Sequence, residues 1–117
     1  MTRRDLLPGM LDMLILRTLT VQSMHGYGIA QHIQRLSKDV IQVEEGSLYP
    51  ALQRMRQKGW IRAEWRQSPN NQRARYYEIT VDGRSQLGEQ TVGFAELMDA
   101  VRRIMTPRVV DRERSGR

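Results

Sequence analysis

The sequence contains no cysteine, only one phenylalanine and no long apolar run. Without cysteine the chain can form neither a disulfide framework nor a thiolate metal site, and a reducing compartment is compatible with it. The longest apolar run, MLDMLIL, is interrupted by Asp12 and falls far short of the roughly 20 apolar residues that a membrane span needs. The first residues lack the apolar stretch of an export signal. We expect a cytoplasmic protein with no membrane partner.

Motifs for catalysis and metal binding are also missing. His25 and His32 have no set of carboxylates or thiolates near them in the sequence, so no metal site is predicted. Serine, histidine and aspartate occur without a nucleophile elbow, a glycine-rich phosphate loop or a pair of catalytic carboxylates. We predict that the protein is not an enzyme and uses no cofactor.

Length and charge limit the number of domains and the kind of partner. The 117 residues suffice for one domain with a modest core. The formal net charge is +6, and every basic residue except Lys38 and Lys58 is an arginine. The planar guanidinium group suits phosphates and base edges, so the composition favours a polyanionic partner.

Apolar spacing predicts two helices in the first third of the chain. A helix over 9–22 presents one apolar face, formed by Leu11, Leu14, Ile15 and Leu19. After a break at Gly26, a second helix is predicted over 27–37, with apolar residues at Ile29, Ile33 and Leu36. The following segment, KDVIQVEE, is too short and mixed for either pattern and is predicted to be a connector.

A third helix is predicted over 47–58. Its apolar stripe consists of Leu48, Ala51, Leu52 and Met55. Ser47 is placed to cap this helix, and Pro50 would then fall in the first turn, where its missing amide hydrogen breaks no internal hydrogen bond. The two glutamates before it suit the positive end of the helix, and Gly59 is expected to end it.

The pattern then changes to the alternation of strands. Residues 60–66 and the segment RARYYEIT alternate around a polar loop, QSPNNQ, which predicts a two-stranded hairpin packed on the helices. The aromatic residues of this region are expected to serve mainly in hairpin packing, at Trp60, Trp65, Tyr76 and Tyr77.

A long helix is predicted over 81–106, with Thr80 as its cap. An a/d pattern runs along it, at Leu87, Thr91, Phe94, Met98, Val101 and Met105. A small domain cannot bury so long a stripe, which favours a homodimer over packing within one chain. We therefore predict a winged helix-turn-helix domain over 1–80, a dimerisation helix over 81–106 and a disordered tail over 107–117.

The predicted order of elements is that of a mostly α fold with a small β-hairpin, the winged helix-turn-helix. In that fold the third helix enters a DNA major groove and the hairpin lies along the backbone. The charge distribution agrees with contact between this region and DNA, since residues 50–77 contain seven basic residues and Glu64 as the one acidic residue. The outer face of the third helix carries Ser47, Tyr49, Pro50, Gln53, Arg54 and Gln57. Arginine and glutamine can read guanine and adenine edges, although a merely solvated helix would have a similar face.

Four stretches spanning residues 6–87 resemble the PadR family of bacterial transcriptional regulators: LLPGMLDMLIL, MHGYGIAQHI, EEGSLYPALQRMRQKGWI and RARYYEITVDGRSQL. The resemblance implies a homodimeric repressor that binds double-stranded DNA and is often released by a small ligand. Matching positions place the DNA contacts at Tyr27, Ser47, Tyr49, Pro50, Arg54, Arg73 and Arg75. Some relatives hold flat aromatic drugs with a tryptophan of the last helix, where this chain offers only Phe94.

Three functions remain in competition at this point. The leading one is a sequence-specific dimeric repressor that binds a palindromic operator. A protein-interaction module built on the same scaffold would lack salt-sensitive binding to duplex DNA. An RNA-binding domain would prefer single strands and use exposed aromatic residues, whereas the aromatics here belong mostly to the hairpin.

Overall fold

The computed structural model describes Leu6 and residues 9–107 and has four helices and three strands. In chain order these are α1 (Met10–Leu19), β1 (Met24–His25), α2 (Gly26–Leu36), α3 (Glu45–Gln57), β2 (Ile61–Gln67), β3 (Arg73–Ile79) and α4 (Val81–Met105). This is the winged helix-turn-helix followed by a long helix, so the predicted fold is confirmed. Apart from Pro107, the predicted tail over 107–117 lies outside the described residues.

The wing contains one strand more than predicted. Strands β2 and β3 pair antiparallel from Ile61 opposite Ile79 to Gln67 opposite Arg73, and β1 pairs with the other edge of β3. Because β1 has only two residues, it is too short to leave an alternating pattern in the sequence. The sheet order is β1-β3-β2, which attaches the wing to the start of α2.

The start of α3 differs from the prediction. The N-cap residue is Glu44, whose carbonyl oxygen accepts hydrogen bonds from the amides of Ser47 and Leu48, at 3.0 and 2.9 Å. The prediction that Ser47 caps the helix is therefore wrong. Pro50 consequently lies in the second turn, where it cannot donate the hydrogen bond that the Gly46 carbonyl would otherwise accept. Gly46 is exposed, so water can hydrogen-bond that carbonyl.

The end of α3 follows the prediction. Gly59 has φ of +79°, the left-handed backbone that glycine adopts at low cost. The amide of Trp60 donates to the Met55 carbonyl at 3.0 Å, and the amide of Gly59 donates to the Arg56 carbonyl at 3.0 Å. This is a Schellman motif, which turns the chain sharply from α3 into β2.

The hydrophobic core lies between the first three helices, the base of the sheet and the first turns of α4. Its buried residues are Ile15, Leu16, Leu19, Ile29, Ile33, Leu48, Ala51, Leu52, Met55, Ile61, Tyr77 and Leu87. Leu36, expected on the apolar face of α2, is exposed at the end of that helix. Leu87, expected at a dimer interface, instead packs in the core of its own chain because it lies only two turns from the start of α4.

Beyond Leu87, α4 leaves the core and carries apolar side chains into solvent. Thr80 caps it as predicted, because its hydroxyl oxygen accepts a hydrogen bond from the Gly83 amide at 3.0 Å. Phe94 and Met98 are half-buried, whereas Thr91, Val101 and Met105 are exposed. No helix in the described part of the chain is long and apolar enough to cross a membrane.

Candidate nucleic-acid interface

Four of the predicted DNA contacts line one open groove. The groove lies between the start of α2, the side of α3 and the wing, and its volume is about 960 Å³. Tyr27 and Tyr49 line its helical side, and Arg73 and Arg75 line its wing side. Residues that are up to 48 positions apart in the sequence therefore face a common space, and two of the four are cationic.

Tyr49 packs against the start of α2, where Gly26 leaves room for its ring because glycine has no side chain. A β-carbon added to Gly26 would lie 2.7 Å from the Tyr49 hydroxyl oxygen, which is too close for any real contact. Partial burial, followed by the charge of Glu45, raises the pKa of Tyr49 above the usual 10.0. A tyrosine hydroxyl is protonated at neutral pH even without this shift, so Tyr49 can donate a hydrogen bond to a phosphate oxygen.

The first turn of α2 is capped by a histidine. The Nδ1 atom of His25 accepts a hydrogen bond from the Gly28 amide at 3.0 Å. The same ring packs in a T-shaped arrangement with Tyr76 of the wing, with 5.4 Å between centroids. Tyr27 stands beside it with 65% of its surface exposed, and its hydroxyl accepts from Gln31 at 3.0 Å. Hence His25 joins the helix start to the wing, which the sequence pattern did not indicate.

The outer face of α3 presents polar and uncharged groups. Ser47, Pro50, Gln53 and Gln57 are all exposed, as the helical spacing predicted. The Gln53 side-chain oxygen accepts a hydrogen bond from Arg56 at 3.1 Å, so its amide nitrogen remains available as a donor. Beyond the first turn of α3, which contains Glu45, this face bears no carboxylate, so it suits approach to a polyanion.

Arg54 differs from these residues because it is already paired. Its Nη2 atom donates to Oδ1 of Asp12 in α1 at 2.7 Å. The Arg54 side chain is 49% exposed, whereas that of Asp12 is only 10% exposed. The guanidinium therefore lies at the edge of α3 that faces α1, with part of its surface still open to solvent.

The two faces of the wing hairpin differ in charge. On one face, Arg62 donates to Glu78 at 2.6 Å, and Arg66 forms ion pairs with Glu64 at 2.5 Å and Glu78 at 3.7 Å. The sequence count assigned these two arginines to the basic surface. In the fold their charge is balanced locally, because residues at even positions of β2 and β3 share one side of the sheet.

The opposite face of the hairpin carries the unpaired cations. The guanidinium groups of Arg73 and Arg75 lie 5.3 and 5.9 Å from the ring centroid of Trp65, which pairs directly with Arg75 across the strands. Within residues 9–107 neither arginine forms an ion pair. Trp65 is 56% exposed, so it is a surface support for two cations rather than a core residue.

Besides the role of His25, two features of this surface were not predicted from the sequence. Trp65 was interpreted as hairpin packing, although counting back from the polar loop places it opposite Arg75. The Asp12 partnership also had a signal, since an aspartate inside MLDMLIL on a largely buried helix requires a cation. Across the described residues, no group of three or more His, Asp or Glu side chains is placed to hold a metal ion.

Comparison with known proteins gives consistent matches. The model of the transcriptional regulator PadR-like family matches residues 15–89. An uncharacterized protein from Lysinibacillus sphaericus is 32% identical over 101 residues, which cover 86% of this chain and 93% of that protein. Among solved structures, a PadR-like transcription factor from Bacteroides fragilis is 31% identical, with a TM-score of 0.67, covering 82% of this chain and 90% of its own. A PadR-like transcriptional regulator from Bacillus cereus is 26% identical, with a TM-score of 0.74, over 86% and 95% of the two chains.

Proposed function

The chain belongs to the transcriptional regulator PadR-like family, and on that premise we propose that it is a homodimeric repressor that binds a palindromic operator. The outer face of α3 would enter the major groove, with Gln53 and Gln57 facing base edges and Arg54 at its side. Arg73 and Arg75 of the wing, with Tyr49 and Tyr27, would contact the phosphate backbone.

The observation that carries this proposal is the shared groove of Tyr49, Arg73 and Arg75. The Tyr49 phenol and two arginines that have no carboxylate partner within residues 9–107 face one open space, beside a helix face that bears no carboxylate beyond the first turn of α3. Phosphate groups satisfy both kinds of donor, and arginine binds them with paired hydrogen bonds. Arg62 and Arg66, on the other face of the hairpin, have carboxylate partners instead.

Dimerisation is proposed through the part of α4 beyond Leu87. Val101, Ile104 and Met105 are 40%, 81% and 73% exposed, and Leu97 is 53% exposed. Apolar side chains repeating along one helix are stabilised by a second helix with the same repeat. A symmetric dimer would present two α3 helices to the DNA about one helical turn apart, roughly 34–36 Å, which predicts a palindromic site.

Release by a small ligand is the third part of the proposal. A cleft of about 220 Å³ between α1 and α4 is lined mainly by apolar atoms, including those of Met10, Met13, Phe94 and Leu97. A flat apolar molecule in this cleft would change the angle between α4 and the DNA-binding domain. Small shifts at a dimer interface move the two reading helices relative to each other.

The test starts from a library of random duplexes. The purified protein is used to enrich bound DNA, and the enriched sequences are examined for inverted repeats. Sedimentation of the complex then gives the number of chains per duplex, and titration between about 50 and 200 mM salt gives the electrostatic contribution. We expect a palindrome, two chains per site and affinity that falls steeply with salt.

Two outcomes would overturn the proposal. Enrichment of no sequence, together with weak binding that does not respond to salt, would favour a protein-interaction module. Preference for single-stranded RNA over every duplex would favour RNA binding.

A ligand role is tested separately, by adding flat apolar compounds to the preformed DNA complex and measuring release.

A further inference from the structure

Asp12 is an unusual residue for the place it occupies. It lies in the first turn of a buried helix and is 7% exposed, and the other buried polar residue in the described part of the chain is Thr18. Thr18 is satisfied within its own helix, by the Leu14 carbonyl at 2.8 Å. The Asp12 carboxylate has a partner on another element, Arg54 of α3, 42 residues away in the sequence.

The pair restrains a side chain that would otherwise move freely. An arginine on a helix surface has many rotamers. A ligand that binds only one of them must overcome the side-chain entropy of the others. Here the buried carboxylate holds Nη2 at 2.7 Å while 49% of the Arg54 side chain remains exposed. A guanidinium has five N–H donors in a planar fork, so one hydrogen bond to Asp12 leaves the others free.

We propose that Asp12 is a positioning residue that acts through Arg54 to set the sequence selectivity of DNA binding. The inference rests on the proposed function, because it requires α3 to read base edges. The carboxylate directs one edge of the guanidinium towards α1 and thereby presents the remaining edge to the DNA in a single orientation. A paired contact to guanine depends on that orientation, whereas attraction to phosphates does not.

This role predicts a loss of affinity for the specific site without a loss of affinity for unrelated DNA. In Asp12→Asn the side chain keeps its size and its oxygen but loses the charge that holds Arg54. Affinity for the enriched palindrome should fall roughly 5- to 20-fold, because an oriented arginine–guanine contact is lost in part. Affinity for a scrambled duplex should stay equal or rise slightly, because the protein has lost one negative charge.

The readout is the ratio of the two affinities, measured by fluorescence anisotropy at one fixed salt concentration. Glu89→Gln is the matched control, since it removes one carboxylate charge from an exposed position of α4. The control should give the same small gain on scrambled DNA and an unchanged ratio. Thermal unfolding of both variants shows whether the fold persists, and a merely structural role for Asp12 would weaken both affinities together.

A second pair of variants tests whether Asp12 acts through Arg54. Arg54→Gln removes the guanidinium fork that Asp12 would orient and leaves a shorter, uncharged side chain. Adding Asp12→Asn to Arg54→Gln should then leave the ratio unchanged. A further fall in the ratio, or an unchanged ratio in Asp12→Asn alone, would overturn the inference while leaving DNA binding by the wild-type protein established. Absence of any duplex binding by the wild type would instead overturn the proposed function.

Discussion

Gly83 lies directly against the backbone of Trp60, and a β-carbon at position 83 would be 2.1 Å from the Trp60 carbonyl oxygen. The hydroxyl oxygen of Thr80 lies 2.6 Å from the Gly59 carbonyl oxygen and 3.0 Å from that of Trp60, and its one hydrogen is shared between them. The turn between α3 and β2 is thus attached to the first turn of α4. This contact sets the direction in which α4 leaves the DNA-binding domain.

Gly83→Ala should therefore destabilise the protein although it replaces glycine with the best helix former. The new methyl group cannot avoid a backbone carbonyl, so we expect a loss of about 3 kcal/mol in the free energy of unfolding by urea. Gly88→Ala is the matched control, because it makes the same substitution in the same helix where nothing lies within 4 Å. The control should gain about 0.5–1 kcal/mol, and equal behaviour of the two variants would contradict the contact.

The two faces of the wing predict unequal effects of equal charge changes. Arg73→Ala removes an unpaired cation from the groove face and should lower the slope of log affinity against log salt by about 1 for each bound chain. Arg62→Ala removes the same charge from the opposite face, where Glu78 already balances it. Its slope should remain that of the wild type. Equal slopes for the two variants would show that the wing does not use one face.

Trp65 is predicted to act through the arginines that lie over its ring. Trp65→Ala should weaken binding to specific and scrambled duplexes alike by about 1 kcal/mol, because both guanidinium groups lose their support. Trp65→Phe, which keeps a smaller ring, should lose less. The same Trp65→Ala change made in an Arg73→Ala, Arg75→Ala background should have no further effect. An additional loss there would indicate that the indole touches the DNA directly.

The fold was largely predictable from the sequence because its elements have regular apolar periods and clear end signals. Gly59 and Thr80 were assigned from local chemistry, and both act as expected. The prediction that Ser47 caps α3 was wrong because a serine before an apolar stripe is only a local signal. In the structure the helix begins earlier, and the Glu44 carbonyl accepts hydrogen bonds from the amides of Ser47 and Leu48. The pairing of Asp12 with Arg54 joins segments 42 residues apart, which periodicity does not encode. The support of Arg73 by Trp65 depends on the register of the hairpin, which periodicity alone leaves open.

Arg54→Ala should reduce stability as well as DNA binding. The Asp12 carboxylate would stay in a site where its side chain is 10% exposed, without the cation that now pairs with it. We expect a loss of roughly 1–2 kcal/mol in the free energy of unfolding, less than for a fully buried pair because Arg54 is half-exposed. Gln57→Ala, on the outer face of the same helix, should change stability by less than about 0.5 kcal/mol. An unaltered stability of Arg54→Ala would mean that solvent screens the pair.

Val101→Glu tests the proposed assembly through α4. A glutamate at this position would be buried against its copy in a symmetric dimer, so we expect the dimer dissociation constant to rise roughly 100-fold, as measured by analytical ultracentrifugation. Affinity for a palindrome should fall as well, because a monomer contacts only one half-site. Arg103→Glu places the same side chain two residues away on the other side of the helix and should leave the dimer intact. If Val101→Glu remained dimeric with unchanged operator affinity, the exposed apolar residues of α4 would have to serve another purpose.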